Sequence, residues 1–352
     1  MQGTTISSKS REELINLHEI VYNPGKNIES FFSNKCKELL SEIYRGKSVF
    51  LFDSEFSALI IGLKSIEIQA TDEVLVSECS PPLLKLAIQS IGAIAIEIPV
   101  DKKTMSLSLQ GLESRLNEKS KAIVVDVFHG IPPEIDELVY FSARHGLSLF
   151  EYASDGLGST YKYNPLGCFG NIGLIGFNPL QSPHPLGCFL VVNDIRLLDR
   201  MEELNLQNST LWLSELKAGI LLPNLHEIDN LKDIRKQIWT NYWNVLQVFE
   251  EEGRFFILGS DSQDSHNYSG FTLFFENVHS GKNLYDYLLN NKIETQFYAK
   301  GIYSLVDLPF HDQLHEEEIL HICFVVGEYF TGDEPLEGLL DIRQSFLDNL
   351  DI

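Results

Sequence analysis

Between Ile28 and Glu151 the chain alternates two textures, and that alternation limits what it can fold into. Helical stretches with apolar residues at three-to-four spacing cover Glu29–Tyr44, Glu55–Ile66, Pro82–Ile91, Leu107–Asn117 and Ile135–His145. Between them lie short β-branched or apolar runs at Ser48–Phe52, Glu73–Val76, Ile94–Ile98, Ala122–Val127 and Leu147–Glu151. Runs of this kind, lacking a polar alternate position, suit strands covered on both faces. Strand–helix–strand repeats close most simply as parallel crossovers in one sheet. The pattern predicts an α/β fold with a mainly parallel sheet sandwiched by helices. Ile172–Phe177 and Cys188–Val192 are further strand candidates.

After Asn193 the texture changes. Helices are predicted around Asp194–Leu204 and Ser214–Leu222, followed by a long helical run, Ile228–Glu252. Beyond Gly253 a smaller α+β pattern follows: strand Ser269–Phe275, helix Lys282–Asn290, strands Glu294–Phe297 and Ile319–Val325, and a closing helix near Leu336–Leu350. Asp261–His266 has the composition of an exposed loop. The division expected is a large domain over 1–240 and a small C-terminal α+β domain over 241–352.

Composition excludes several function classes. The chain has 352 residues, 44% of them hydrophobic, enough for a sizeable core. Fifty acidic residues against 27 basic ones give a formal net charge of −23. That argues against nucleic-acid binding, which needs basic patches to replace counterions. No apolar run approaches the roughly 18–20 residues that span a bilayer, so no membrane anchoring is expected. The polar stretch MQGTTISSKSREE lacks the apolar core of a secretory signal. The five cysteines are scattered and form no C-x-x-C pair, which argues against a disulfide framework or structural zinc site and fits the cytoplasm.

Several segments, in order, carry a resemblance. DEVLV at Asp72–Val76, IGAIAIEIPVD at Ile91–Asp101 and EKSKAIVVDVFHGIPPEIDEL at Glu118–Leu138 are followed by an ungapped match over HGLSLFEYASDGLGSTYKYNPLGCFGNIGLIGF, His145–Phe177. Together they resemble the DegT/StrS sugar aminotransferases, pyridoxal-phosphate (PLP) enzymes of the aspartate aminotransferase fold. The likeness runs from about Ile28 to the C-terminus and is weakest past Leu204. It implies a seven-stranded, mainly parallel sheet in the large domain and a homodimer, with the Gly173–Phe189 loop near the dimer interface.

The same match exposes the departures. The family's E-D-A-A-Q supplies an aspartate to the protonated pyridine nitrogen of the cofactor; here Tyr152 stands at that position. The Schiff-base lysine of F-S-F-H-P-T-K falls on Gln181, and an amide cannot form an imine. The phosphate-binding G-T-x-A-L becomes EFSAL, placing the carboxylate of Glu55 where a dianion sits and replacing the hydroxyl by Phe56. The serine of F-S-F is Gly176, and the ring-stacking aromatic falls within SECSPP at Ser77–Pro82, which holds no aromatic residue. The vestigial pocket is thus assigned to Glu55, Phe56, Tyr152, Asp155, Gly176, Gln181 and His184, with no catalytic residue, no cofactor and no metal expected.

Each of these residues also has a plain structural interpretation. Tyr152 is expected to fill volume that the cofactor left. His184, braced by Pro183 and Pro185, is out of register with the histidine that replaces lysine in the family's sugar 3-dehydratases. Asp155 is expected to hydrogen-bond the turn backbone ahead of Gly156. His129 and Gly130 fit the scaffold, and Lys162 belongs to a surface turn. Two functions follow. One is a non-catalytic homologue that binds a sugar nucleotide or a catalytic paralogue in sugar or polysaccharide biosynthesis. The other is an active PLP- or PMP-dependent aminotransferase or dehydratase acting on a nucleotide-linked keto-sugar.

Overall fold

The computed structural model describes residues 8–22, 30–101, 105–180, 186–207, 212–260, 266–300, 303–309 and 314–331. The chain divides into two units, 1–231 with 264–267, and 232–263 with 268–352. The division falls inside the long helix that the sequence pattern predicts.

Among the described residues the first unit holds nine strands: β1 (Ser48–Phe52), β2 (Glu73–Ser77), β3 (Ile94–Ile98), β4 (Ser120–Asp126), β5 (Ser148–Ala153), β6 (Thr160–Tyr161), β7 (Asn164–Pro165), β8 (Ile172–Gly176) and β9 (Cys188–Val192). β6 and β7 form a small hairpin, and the other seven make one sheet in the order β1-β9-β8-β5-β4-β2-β3. β3, β2, β4, β5 and β8 pair in parallel, while β9 is antiparallel to both its neighbours, β8 and β1. The expected mainly parallel α/β architecture is therefore present.

Helices α1 (Ser8–Tyr22), α2 (Phe31–Ile43), α3 (Glu55–Ser65), α4 (Pro82–Ser90), α5 (Leu109–Arg115), α6 (Ile135–His145), α7 (Leu198–Gln207) and α8 (Glu215–Leu225) accompany this sheet. Alternate strand residues enter different cores, as the period-two geometry of a strand requires. Val74, Val76, Val124, Phe150 and Leu174 pack with Leu59, Ile61 and Leu84 of α3 and α4. On the other face, Ala153, Ile175 and Val191 join Phe32, Leu40 and Leu221 of α2 and α8, while Leu75, Ile123 and Val125 join Leu112 and Leu138 of α5 and α6. This two-sided burial is why these strands are mostly apolar.

One charged group is built into the sheet. Glu151 of β5 is fully buried. Its Oε2 accepts the Gly167 N–H at 2.7 Å, and its Oε1 accepts those of Phe169 at 2.6 Å and Gly170 at 2.7 Å. The loop entering β8 is thereby fixed beside the strand it pairs with. Burial pushes the Glu151 carboxyl up, against the pull of the three N–H donors.

The second unit centres on α9 (Ile228–Glu251), whose Ile238, Trp239, Tyr242, Val245, Leu246 and Phe249 recur at helical spacing and are buried. They pack with strands β10 (Phe256–Ile257) and β11 (Thr272–Phe275), helix α10 (Val278–Asn290), strand β13 (Tyr303–Asp307), which follows β12 (Gln296–Lys300), and helix α11 (Glu316–Thr331). The four strands form an antiparallel sheet in the order β10-β11-β13-β12.

Ile319–Val325 is a correction to the sequence pattern: it lies within α11, not in a strand. Ile319, Ile322, Cys323 and Val326 are buried at i, i+3, i+4 and i+7, a helical stripe inside a run too short and apolar for periodicity to classify. α1, β10, β13 and the β6–β7 hairpin were not anticipated, and the closing helix near Leu336–Leu350 lies outside the described residues. Among those residues no helix is long and apolar enough to cross a membrane.

Truncating Glu151 leaves one buried and two part-buried N–H groups without that acceptor, a buried one costing about 1–3 kcal/mol. Glu151→Ala is expected to lower unfolding free energy by about 3 kcal/mol or more in urea titration. Glu151→Gln should lose less, since one amide oxygen still accepts.

Candidate functional site

The parallel strands all end on one edge of the sheet, the edge where open α/β sheets hold ligands. β1 runs through Asp53 and Ser54 into α3, β4 ends on Asp126, β5 leads to Ser154 and Asp155, and β8 ends on Gly176, with Asn178 just beyond. Ser54 caps α3, its hydroxyl accepting the Ser57 N–H at 3.3 Å. Glu55 is the first residue of that helix, where the helix dipole favours a negative charge.

The Glu55 carboxylate gathers the polar groups of this edge. Its Oε2 accepts the Tyr152 hydroxyl at 2.9 Å, and its Oε1 accepts the Ser154 hydroxyl at 2.6 Å. The Asn178 amide donates to the same Oε1 at 3.3 Å and to Ser154 Oγ at 2.9 Å. Hydrogen bonds to an ionised acceptor are the strong ones, so this is a firm three-donor anion site whose anion belongs to the chain. Tyr152 is 2% exposed, with its ring in the core beside β4 and β8. Burial, and then the Glu55 charge, push its phenol upward, so the hydroxyl stays protonated and donates.

Beside this cluster lies Asp126, paired in register with Tyr152 across β4 and β5. It is 7% exposed, and burial, then the charges of Asp155 and Glu55, push its carboxyl up to about 8. Ser80 and the charge of Lys85 act in the opposite sense. The Ser80 hydroxyl lies beside the Asp126 carboxyl.

The residues singled out from sequence fall out unevenly. Glu55, Tyr152 and Gly176 meet at one point: a β-carbon on Gly176 would sit 2.4 Å from Ser154 O and 2.9 Å from Glu55 Oε1. The departures at 55 and 176 are therefore linked, because a serine at 176 has no room while the present backbone and Glu55 are in place. Phe56 packs against the core under α3. Tyr152 does more than fill volume, since its hydroxyl holds Glu55.

Asp155 differs from expectation. The Gly156 N–H goes to Ala153 O at 2.8 Å, leaving the Asp155 carboxyl to act on Asp126 while its backbone carbonyl accepts the Asn267 amide at 2.6 Å. His129 stacks on Phe128 with ring centroids 4.2 Å apart, and Lys162 is an exposed partner of Asp136. Gln181 and His184 lie outside the described residues.

Ser154, Asn178, Asp126 and Ser80 were missed. Ser154 and Asn178 carried a usable signal, standing where the resemblance has the second alanine of E-D-A-A-Q and the histidine of F-S-F-H-P-T-K. Asp126 and Ser80 carried none, because only the β2–β4 pairing brings their segments together.

These residues do not fit a phosphate-bearing pyridinium cofactor. The donors suited to a phosphate are taken by Glu55, and a phenol cannot balance a ring cation as a carboxylate does. Lys217 is held by Asp53 at 2.9 Å, so its amine is engaged as well.

Comparison with known proteins places this geometry in context. A model of the DegT/DnrJ/EryC1/StrS aminotransferase family matches residues 25–322. GDP-perosamine synthase of Escherichia coli O157:H7 is 23% identical over 368 residues, covering 88% of this chain and 98% of the relative. Among solved structures, a DegT DnrJ EryC1 StrS aminotransferase from Brucella abortus superposes with a TM-score of 0.80 at 18% identity, covering 91% of this chain and 96% of the other. NtdA from Bacillus subtilis, with bound cofactor PMP, gives 0.77 at 18% identity over 92% of this chain and 83% of the other. The shared architecture is that of aspartate aminotransferase-like sugar aminotransferases.

The raised carboxyl of Asp126 has a consequence for stability. The folded state keeps a proton that an unfolded aspartate, with its ordinary value of 3.8, has lost. Stability should therefore fall as pH rises from about 4 towards about 8, by at most about 1.4 kcal/mol per pH unit, and level off above. Asp126→Asn should flatten that decline and be the more stable form at pH 8, with little difference at pH 4, in thermal or urea denaturation across the range.

Proposed function

The chain belongs to the DegT/DnrJ/EryC1/StrS aminotransferase family, and from that premise we propose that it is a non-catalytic homologue of nucleotide-sugar aminotransferases. Its role is to bind, as a partner subunit or ligand-binding protein in sugar or polysaccharide biosynthesis. One observation carries this reading: the Glu55 carboxylate sits among the donors of Tyr152, Ser154 and Asn178, in the segment that matches the family's phosphate cradle. A phosphate arriving there meets a like charge in place of free donors, a conflict of several kcal/mol if water is excluded.

The sequence supports the same conclusion, with Gln181 at the Schiff-base position and no lysine between Gly176 and Gly187. The relative named for GDP-perosamine suggests a nucleotide-linked sugar as the ligand, and a catalytic paralogue is the natural protein partner. The family's two-fold assembly suggests a homodimer. The five cysteines form no disulfide, which fits a cytoplasmic location.

The test is spectroscopic. Purified protein incubated with excess PLP is expected to gain no imine absorbance and no borohydride-reducible link to a lysine. Residual non-covalent affinity should be millimolar or weaker, about 4 kcal/mol. Gln181→Lys alone should not restore turnover, because Tyr152 and Glu55 remain. A lysine-linked chromophore in the unmodified protein would overturn the proposal in favour of an active aminotransferase. PLP or PMP bound tightly without that link would favour a dehydratase.

A further inference from the structure

We infer that a cavity on the opposite edge of the first unit's sheet from Glu55 binds a small aliphatic α-hydroxy carboxylate. The cavity has a volume of about 530 Å³ and lies where β1, β5 and β8 begin and β9 ends. Ligands of open α/β sheets gather at the other edge, beyond the carboxyl ends of the strands. This is therefore a second site, and it stands whether or not the chain is catalytic. Its volume is that of a small-molecule pocket.

The lining is held in place before any ligand arrives. Part of it is the loop 168–171, which Glu151 fixes through the N–H groups of Phe169 and Gly170. Asn171 Oδ1 accepts the Leu149 N–H at 2.8 Å, tying that loop to β5. Val139, Leu147 and Leu149 supply apolar surface. Two polar groups of the lining are left over. Arg196 and Asp194 cancel each other's charge through bonds at 2.8 and 2.6 Å. Lys47 then remains, a lining cation that no ion pair engages among the described residues. The second is Asn193. Its Nδ2 donates to Gly167 O at 2.7 Å, which fixes how the amide faces, and its buried Oδ1 has no donor. Ser48 pairs with Val192 in the antiparallel ladder, so one step further Lys47 stands across from Asn193.

An α-hydroxy carboxylate answers each of these groups. Its carboxylate meets Lys47, and the hydroxyl on the adjacent carbon donates to Asn193 Oδ1. Its aliphatic chain lies on Val139, Leu147 and Leu149. A carboxylate without the hydroxyl leaves the Asn193 oxygen unanswered, and a buried acceptor normally has a donor. An α-amino acid puts a second cation beside Lys47. The chain as a whole, at a net charge of −23, repels anions. An acid that outbinds its neutral amide therefore needs a local cation, and Lys47 is the one this cavity offers. No covalent bond is made or broken.

The probes are 2-hydroxy-4-methylpentanoate and three relatives: 4-methylpentanoate, which lacks the hydroxyl, 2-hydroxy-4-methylpentanamide, which lacks the charge, and leucine. Calorimetric titration near pH 7 in low salt reads their affinities. The hydroxy acid should bind about tenfold more tightly than each relative, the worth of one hydrogen bond or one charge contact. Lys47→Gln should weaken the hydroxy acid about tenfold, to the level of the amide, and leave the amide unchanged. A lysine with only a structural role would shift both probes alike. No binding of the hydroxy acid at millimolar concentration, or equal affinity for it and any relative, would overturn the inference. Unchanged affinity in Lys47→Gln would overturn it too, by placing the acid elsewhere on the protein. The first two outcomes need no variant, so a misfolded mutant leaves the test intact.

Discussion

The hydrogen bonds from Tyr152, Ser154 and Asn178 to the Glu55 carboxylate organise the strand-end edge of the large unit. They join the start of α3 to the ends of β5 and β8, three segments that meet only because β1, β9, β8 and β5 lie side by side. The carboxylate does structurally what a bound anion does elsewhere: it gives convergent donors something to hold and sits at a helix N-terminus, where negative charge is favoured. Tyr152 must be a phenol for this arrangement. An aspartate in its place would face Glu55 carboxylate to carboxylate, with repulsion where there is now a 2.9 Å hydrogen bond. Glu55, Tyr152 and Gly176 thus meet in one arrangement.

What holds the strands that present these groups is ordinary by comparison. β5 is fixed by its neighbours in the sheet, by cores on both faces, and by Glu151 clasping the loop into β8. Adjacent residues of one strand serve opposite purposes: Glu151 points to backbone donors and stabilises the scaffold, while Tyr152 points across the sheet edge to Glu55. Alternation of side chains along a strand separates the two roles. Asp126 shows the cost of the arrangement, a carboxyl pushed up first by burial and then by the negative charges of Asp155 and Glu55.

Much of the scaffold was legible in the sequence, because strands buried on both faces leave apolar runs that nothing on the surface needs to interrupt. The place of Tyr152 in the resemblance was legible for a different reason: the match from His145 to Phe177 has no gap, whereas Gln181 lies beyond that match and outside the described residues. The bonds among the replacements were not legible. Glu55 and Tyr152 are 97 positions apart, and only the folded sheet order shows that one carboxylate serves both Tyr152 and Ser154. Asp126 sat inside a run read as a strand, where a carboxylate has no periodic signature. Ile319–Val325 misled because seven apolar-rich residues fit either period, and the packing against α9 and β11 that decides for a helix is non-local.

The central claim is that the chain's own carboxylate occupies the anion site of this fold. A high-resolution crystal structure grown with excess PLP tests it most directly. The account predicts Glu55 on Tyr152 and Ser154 as before, with no phosphate density at the N-terminus of α3. Phosphate density between α3 and the end of β8, with Glu55 swung away from Tyr152, would contradict it.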